Sequence, residues 1–297
     1  MTCFSRRGVF SRLGYMICLI GVLYLISKKR LSTDNYLTNI LCNQNKYIGY
    51  GKNQIPNSTW SMYESRSTTA WTVLLTVNTG FFDFFSNWFF YYSKLKLDLP
   101  IVIIAEDDKV YKKLKTLCSY CQVSRSKLNI SEATNFSTII YKKFVSQRPS
   151  YILRLLHEGK NVLYADVDSV WLHNPLPYFN ASVDFTYQLD LPQTVCTGFL
   201  AIKNNSKTIK MVDEWHKIMT LQSETTYDQT GLNQVFKKYS NSIRNQALNT
   251  LFFPNGLQYF KEFNMLQRSS VVVVHNNYII GHDNKKKRFQ KFGLWAV

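Results

Sequence analysis

Asp166 and Asp168 stand two residues apart at the end of an apolar run, Val162, Leu163, Tyr164 and Ala165, in the stretch NVLYADVDSVW. Aspartate is a poor strand former and costly to bury, so a pair that finishes such a run calls for a partner of opposite charge. A divalent cation meets that need, and because carboxylate oxygens are hard ligands the ion would be Mg²⁺ or Mn²⁺. Spacing alone carries little, since two Asp at a fixed offset arise by chance about once in a chain of this length. A solvated turn capped by its own Asp side chains is the plain alternative. Position adds the weight: in an open α/β sheet, ligands bind beyond the carboxyl ends of the strands.

Other residues able to do chemistry sit at similar ends. Asn78, Thr79 and Gly80 follow the first apolar run, where nucleotide-binding folds start their site. His275 follows four valines and offers an imidazole to a site that already holds two carboxylates, although a lone His there is more often structural. Asp228 and Gln229 open YDQTGLNQVF, where Asp228 is equally well placed as an ordinary N-cap. Arg154 lies on the helical pattern before the Asp pair and could balance phosphate or carboxylate, or simply face solvent.

The elements that must position these residues alternate. WTVLLTVNT (71–79) and PIVIIA (100–105) are continuous apolar, β-branched runs of the kind covered on both faces. Between them, FFDFFSNWFFYYSKL (81–95) reads as a deeply buried helix with aromatics all round. Tyr151, Ile152, Leu155 and Leu156 form a helical stripe closed by Gly159. Residues 184–190 and 196–203 are strand-like, residues 206–221 are helical, and residues 270–274 make a last strand. The alternation predicts an α/β fold with a single, Rossmann-like, mostly parallel sheet flanked by helices. No GxGxxG or GxxxxGK[ST] occurs, so neither a dinucleotide fingerprint nor a P-loop is indicated.

Composition narrows the partners. The chain has 297 residues, 45% hydrophobic and 15% aromatic, which marks it as globular. Its net charge of +17 suits an acidic partner such as a nucleotide diphosphate, an anionic glycan or a membrane surface. No nucleic-acid partner is expected, because only KKKR (285–288) is densely basic. LGYMICLIGVLYLI (13–26) is uncharged and fenced by Arg6, Arg7 and Arg12 before it and Lys28, Lys29 and Arg30 after it. No small-residue cleavage pattern follows, and a core helix would be amphipathic, so an uncleaved membrane anchor is expected. The predicted organisation is a cytoplasmic tail (1–12), a transmembrane signal-anchor (13–27), a stem rich in Asn, Ser, Thr and Tyr (28–69) and a lumenal domain (70–297). In that domain and stem Cys42, Cys118, Cys121 and Cys196 could all pair, in any of three connectivities; Cys118 and Cys121 read as structural, since nothing completes a zinc site. Sequons at Asn57, Asn129, Asn135, Asn180 and Asn204 permit a secretory location without proving it.

LLHEGKNVLYADVDSVWLHNPLPYF, YDQTGLN, FPNG and VVHNNYIIGHDNKKKRF, in this order, resemble the nucleotide-diphospho-sugar transferase family that includes the plant rhamnogalacturonan xylosyltransferases. The resemblance runs from about Trp71 to Trp295. It implies a glycosyltransferase A type fold, a type II Golgi membrane protein with a lumenal catalytic domain, and retaining transfer from a nucleotide sugar, usually UDP-linked, to a glycan or glycoprotein acceptor. Carried over residue by residue, Asp166 and Asp168 match the metal and diphosphate pair, and His275 the late histidine that completes the coordination of Mn²⁺ or Mg²⁺. Gly281 and Lys285 match the Gly and Lys that contact the diphosphate, with a longer spacing than the glycogenin-like HxxGxxK. Asp228 and Gln229 match the DQ pair beside the anomeric carbon, and Arg154 resembles the helix arginine behind the metal motif. A catalytically inactive, membrane-tethered glycan binder of the same fold is the rival expectation.

Overall fold

The computed structural model describes residues 71–190 and 194–297. The expected tail, anchor and stem, with Cys42 and Asn57, lie outside the described residues. No helix among the described residues is long and apolar enough to cross a membrane.

The apolar runs become the central strands. β1 (Trp71–Val77), β2 (Ile101–Ala105) and β4 (Asn161–Ala165) run parallel, with β3 (Gln122–Arg125) outside β2. Side chains alternate across a strand, so each central strand feeds two cores. Val73, Leu75, Ile103, Leu163 and Ala165 enter one, while Leu74, Val102, Ile104, Val162 and Tyr164 enter the other. That is why the runs show no polar alternation.

Helices cover both faces. α1 (Phe82–Lys94) and α2 (Asp108–Leu117) supply Phe84, Phe85, Trp88, Val110 and Leu114 to the first core. The short α3 (Ile139–Val145) leads into α4 (Arg148–His157), which, with α5 (Ser206–Leu221) and α6 (Asp228–Tyr239), supplies Ile152, Leu155, Trp215 and Leu232 to the second. Cys118 is bonded to Cys121 just beyond α2, whereas Cys196 is buried and free, so complete pairing is not realised.

The sheet is mostly parallel, as expected, and turns antiparallel at the strand beyond β4. β7 (Thr194–Ile202) pairs antiparallel with both β4 and β6 (Phe185–Asp190), and β8 (Asn245–Ala247) lies parallel to β6 at the edge, giving the order β3-β2-β1-β4-β7-β6-β8. The last strand does not join this sheet. β9 (Val273–His275) pairs antiparallel with β5 (Ser169–Trp171) in a separate two-stranded ribbon. The ribbon is held by aromatics from α1: Trp88 stacks on Tyr92 at 4.8 Å and meets Trp171 edge-on at 5.7 Å. Such pairs add about 0.5–1.5 kcal/mol each beyond the area they bury. Two short helices close the chain, α7 (Met265–Ser269) and α8 (His282–Lys291).

Candidate active site

β4 ends at Ala165, and the ladder with β7 continues one step, through Asp166 N–H donating to the Gly198 carbonyl at 2.9 Å. The chain then turns at once. Ser169 donates to the Asp166 carbonyl from both its N–H, at 3.2 Å, and its Oγ, at 2.7 Å. The turn leads into β5, where Ser169 stands opposite His275, and Asn276 N–H donates to the Asp168 carbonyl at 2.9 Å. Backbone pairing therefore fixes the register of the histidine against the two aspartates.

Their side chains converge. One ligand atom from each of Asp166, Asp168 and His275 can be chosen so that all three lie within 4.8 Å of one another. His275 Nε2 is 3.4 Å from Asp168 Oδ1 and 3.6 Å from Asp166 Oδ2. Lys285, from the second turn of α8, places its ammonium on Asp168 Oδ2. Burial by itself would raise the Asp168 pKa, but Lys285 and His275 outweigh it and hold the carboxyl well below its usual range. Burial would likewise lower His275, yet Asp168 keeps it well above 6.5. Two carboxylates and an imidazole facing one point are a donor set that fits Mn²⁺ or Mg²⁺. The cations already drawn to these carboxylates show that the buried negative charge needs compensation.

Behind this floor stands Arg148, at the start of α4. One guanidinium nitrogen lies 2.8 Å from Asp166 Oδ1 and another is ion-paired with Asp228 Oδ2, while the plane sits 4.8 Å from the Tyr164 ring. Tyr164 donates its hydroxyl to the same Asp166 oxygen at 2.9 Å. In the wall beside it, Gln229 Nε2 donates to Asp190 Oδ2 at 3.1 Å, and Thr197 N–H reaches Gln229 Oε1 at 3.4 Å. Floor and wall enclose a cavity of about 880 Å³ whose mouth is apolar. There Phe136, 49% exposed, stacks parallel on Tyr227 with centroids 5.1 Å apart.

Comparison with known proteins resolves the family. Residues 97–289 match the family model described as nucleotide-diphospho-sugar transferase. The chain belongs to that family. Similar proteins include the Arabidopsis thaliana UDP-D-xylose:L-fucose alpha-1,3-D-xylosyltransferase, 26% identical over 99% of this chain and 88% of the relative. A Dictyostelium discoideum UDP-galactose:fucoside alpha-3-galactosyltransferase is 26% identical over 76% of this chain and 43% of the relative. Among solved structures, the glycosyltransferase GlyE of Streptococcus pneumoniae aligns with a TM-score of 0.51 at 13% identity, covering 75% of this chain and 60% of that one. That likeness places the fold among those of glycosyltransferases.

Within this transferase, the residues expected from sequence fall into three groups. Asp166, Asp168, His275, Lys285, Asp228 and Gln229 all line the one cavity, and so do Asn78 and Gly281. Gly281 precedes α8 with φ +89°, a conformation that side chains disfavour. Asp228 is not the N-cap, a place taken by Tyr227; it is the first helical residue. Asn78 and Thr79 have structural partners. Asn78 accepts from Phe81 N–H at 3.0 Å and donates to the Glu132 carbonyl at 2.7 Å, while Thr79 gives its N–H and its hydroxyl to Asp107, each at 2.7 Å. Asn78 therefore ties the end of β1 to the loop that carries Phe136, and Thr79 ties it to Asp107, the residue that caps α2.

Arg154 does not reach the site. It lies near the C-terminal end of α4 with 43% of its side chain exposed, 3.9 Å from Glu158. The helix runs antiparallel to the central strands, so its first turn, where Arg148 sits, lies at the strands' carboxyl edge; Arg154 is about 9 Å further down the axis. A proline in the first turn, Pro149, marks that start and was the available signal. Asp190 also lay in plain sight, as the last residue of β6, which runs in the same direction as β4. Cys196 and Gly198, on β7, carry no sequence signal of their own.

Proposed function

We propose that this transferase moves one sugar from a UDP-sugar, xylose or galactose, to a glycan or glycoprotein acceptor with retention of configuration. The observation that carries the reading is the convergence of Asp166, Asp168, His275 and Lys285 on the floor of a cavity that Gln229 and Asp190 also line. Asp166, Asp168 and His275 would hold Mn²⁺ or Mg²⁺, which supplies Lewis-acid stabilisation of the diphosphate when bound.

The protein's own groups account for the rest. Lys285 exchanges its ion pair with Asp168 for one with the diphosphate, and so compensates the negative charge that grows as the sugar–phosphate bond breaks. Arg148 balances the charge of Asp166 and Asp228 and fixes both in place. Gln229, steadied by Asp190, orients the sugar; an amide is a poor nucleophile, so the acceptor hydroxyl attacks from the face the diphosphate leaves, giving its proton to the departing oxygen. The relatives' names support retention, because UDP-xylose and UDP-galactose carry an α-linked diphosphate and the named products are α. The same names favour a fucose-bearing acceptor. The catalytic domain would lie in the Golgi lumen on a type II anchor over residues 13–27; the apolar segment supports the anchor, and the family resemblance supports the lumenal orientation.

The test is binding of UDP, UDP-xylose, UDP-galactose, UDP-glucose and UDP-arabinose with and without Mn²⁺, beside the double variant Asp166→Asn/Asp168→Asn. Metal-dependent binding that the double variant loses is the expected result, followed by transfer to a fucoside. Sugar nucleotide binding that ignores both metal and variant would sink the metal assignment, and absence of all nucleotide binding would leave the inactive glycan binder.

A further inference from the structure

His275 reaches the site on a fixed backbone, but an imidazole has two edges. Rotating the ring half a turn about χ2 exchanges Nδ1 with Cδ2 and Nε2 with Cε1, and only one orientation turns a nitrogen lone pair toward Asp166 and Asp168. Metal-binding histidines are held in that orientation by a partner on the other nitrogen, usually a carboxylate, a backbone carbonyl or water. The partner here is a thiol: Cys196 Sγ lies 3.5 Å from His275 Nδ1.

Strand β7 supplies the whole bed of the ring. Residues two apart on a strand share a face, so Cys196 and Gly198 both look toward the histidine while Thr197 does not. Gly198 is the second half of the device. A Cβ at that position would stand 2.8 Å from Asp166 Oδ2 and 2.9 Å from His275 Nδ1, and nearer still to Cε1. The strand therefore presses against the ring where it has no side chain and grips it where it has one. Cys196 is buried, and is the free cysteine among the described residues.

We infer that Cys196 is a positioning residue for the cation, its thiol holding the Nδ1 edge of His275 so that Nε2 points between Asp166 and Asp168. The inference rests on the metal assignment made above. A hydroxyl can take over the contact and a methyl group cannot. The experiment is a Mn²⁺ titration of the full chain, with free ion followed by electron paramagnetic resonance, for the wild type, Cys196→Ser and Cys196→Ala. Thermal unfolding of each apo protein checks the fold. Loss of a partner at the far nitrogen weakens metal affinity about 10–100-fold. Cys196→Ala is expected to fall in that range, and Cys196→Ser to stay within about threefold of the wild type, since it keeps the hydrogen bond.

Unchanged affinity in Cys196→Ala would overturn the role. Equal weakening in Ser and Ala would overturn it too, because packing, not hydrogen bonding, would then be what Cys196 provides. A wild type that takes up no Mn²⁺ refutes the metal assignment itself and the role with it, an outcome distinct from either variant's behaviour.

Discussion

Arg148 compensates two carboxylates at once, Asp166 on the cavity floor and Asp228 at the start of α6, and its side chain is almost fully buried. Removing one partner of a buried ion pair strands the other, at about 3–5 kcal/mol. Arg148→Met is therefore expected to lower the unfolding free energy by that amount and to abolish donor binding. Arg154→Ala, six residues along the same helix and facing solvent, is expected to stay within about 0.5 kcal/mol and to bind the donor normally. Equal costs in urea unfolding would show that the guanidinium at position 148 is not the one compensating these groups. The pair also shows what a sequence discloses about a site. Asp166, Asp168 and His275 were legible because each ends an apolar run, and a charged or imidazole group there has few uses. Arg148 and Arg154 occupy one helix, and which of them meets the cavity depends on the direction of that helix relative to the strands. Cys196 was not legible, since its role depends on a ring delivered from a strand nearly 80 residues later.

The central strands were readable for a related reason: burial on both faces leaves an unbroken apolar run. The antiparallel pairing of β6 and β7 was not anticipated, although the connection through residues 191–193 is far shorter than a parallel crossover needs. The β5–β9 ribbon was not anticipated either, as strands of three residues look alike whichever sheet they join. The end of the chain is held by Phe289 and Leu294 in the core and by a polar clamp. His282 lies 2.9 Å from both Asp83 and Asp283, and Lys286 pairs with the other Asp83 oxygen at 2.9 Å, so the start of α8 is clamped to α1. Burial opposes the charge on His282, but its bonds to Asp283 and Asp83 raise its pKa above 6.5 in the folded protein. A raised histidine stabilises fully below the unfolded value near 6.5, and that contribution is lost as pH climbs through the folded value. Hydrogen exchange in α8, corrected for intrinsic rates, is expected to show protection falling on going from pH 6 to pH 8.5. Asp83→Asn should flatten the dependence. A helix equally protected across that range in the wild type would show that Lys286 and the apolar contacts hold it alone. Since α8 also carries Lys285, loosening the clamp should weaken donor binding over the same interval.

At the scale of the whole molecule, the sheet, the ribbon and α8 are separate pieces that meet at the cavity floor. Asp166 leaves β4, Asp168 leads into the ribbon, His275 ends the ribbon and Lys285 belongs to α8. An ion shared by the first three residues would cross-link the sheet to the ribbon, so metal uptake should appear as global stability and not only as local order. A ligand that binds only the folded state stabilises it by about 2.7 kcal/mol at one hundred times its dissociation constant. For a domain of this size that is a rise in Tm of about 5–10 °C. The wild type is expected to show the rise with saturating Mn²⁺. Asp166→Asn/Asp168→Asn should show none, and its apo form is expected to be less stable, because Arg148 and Lys285 each lose a carboxylate partner. A rise of equal size in the double variant would mean that Mn²⁺ binds elsewhere on the chain. A rise in the wild type without any gain in UDP-sugar affinity would make the ion a structural cross-link of sheet and ribbon, and Lys285 would then carry the diphosphate without it.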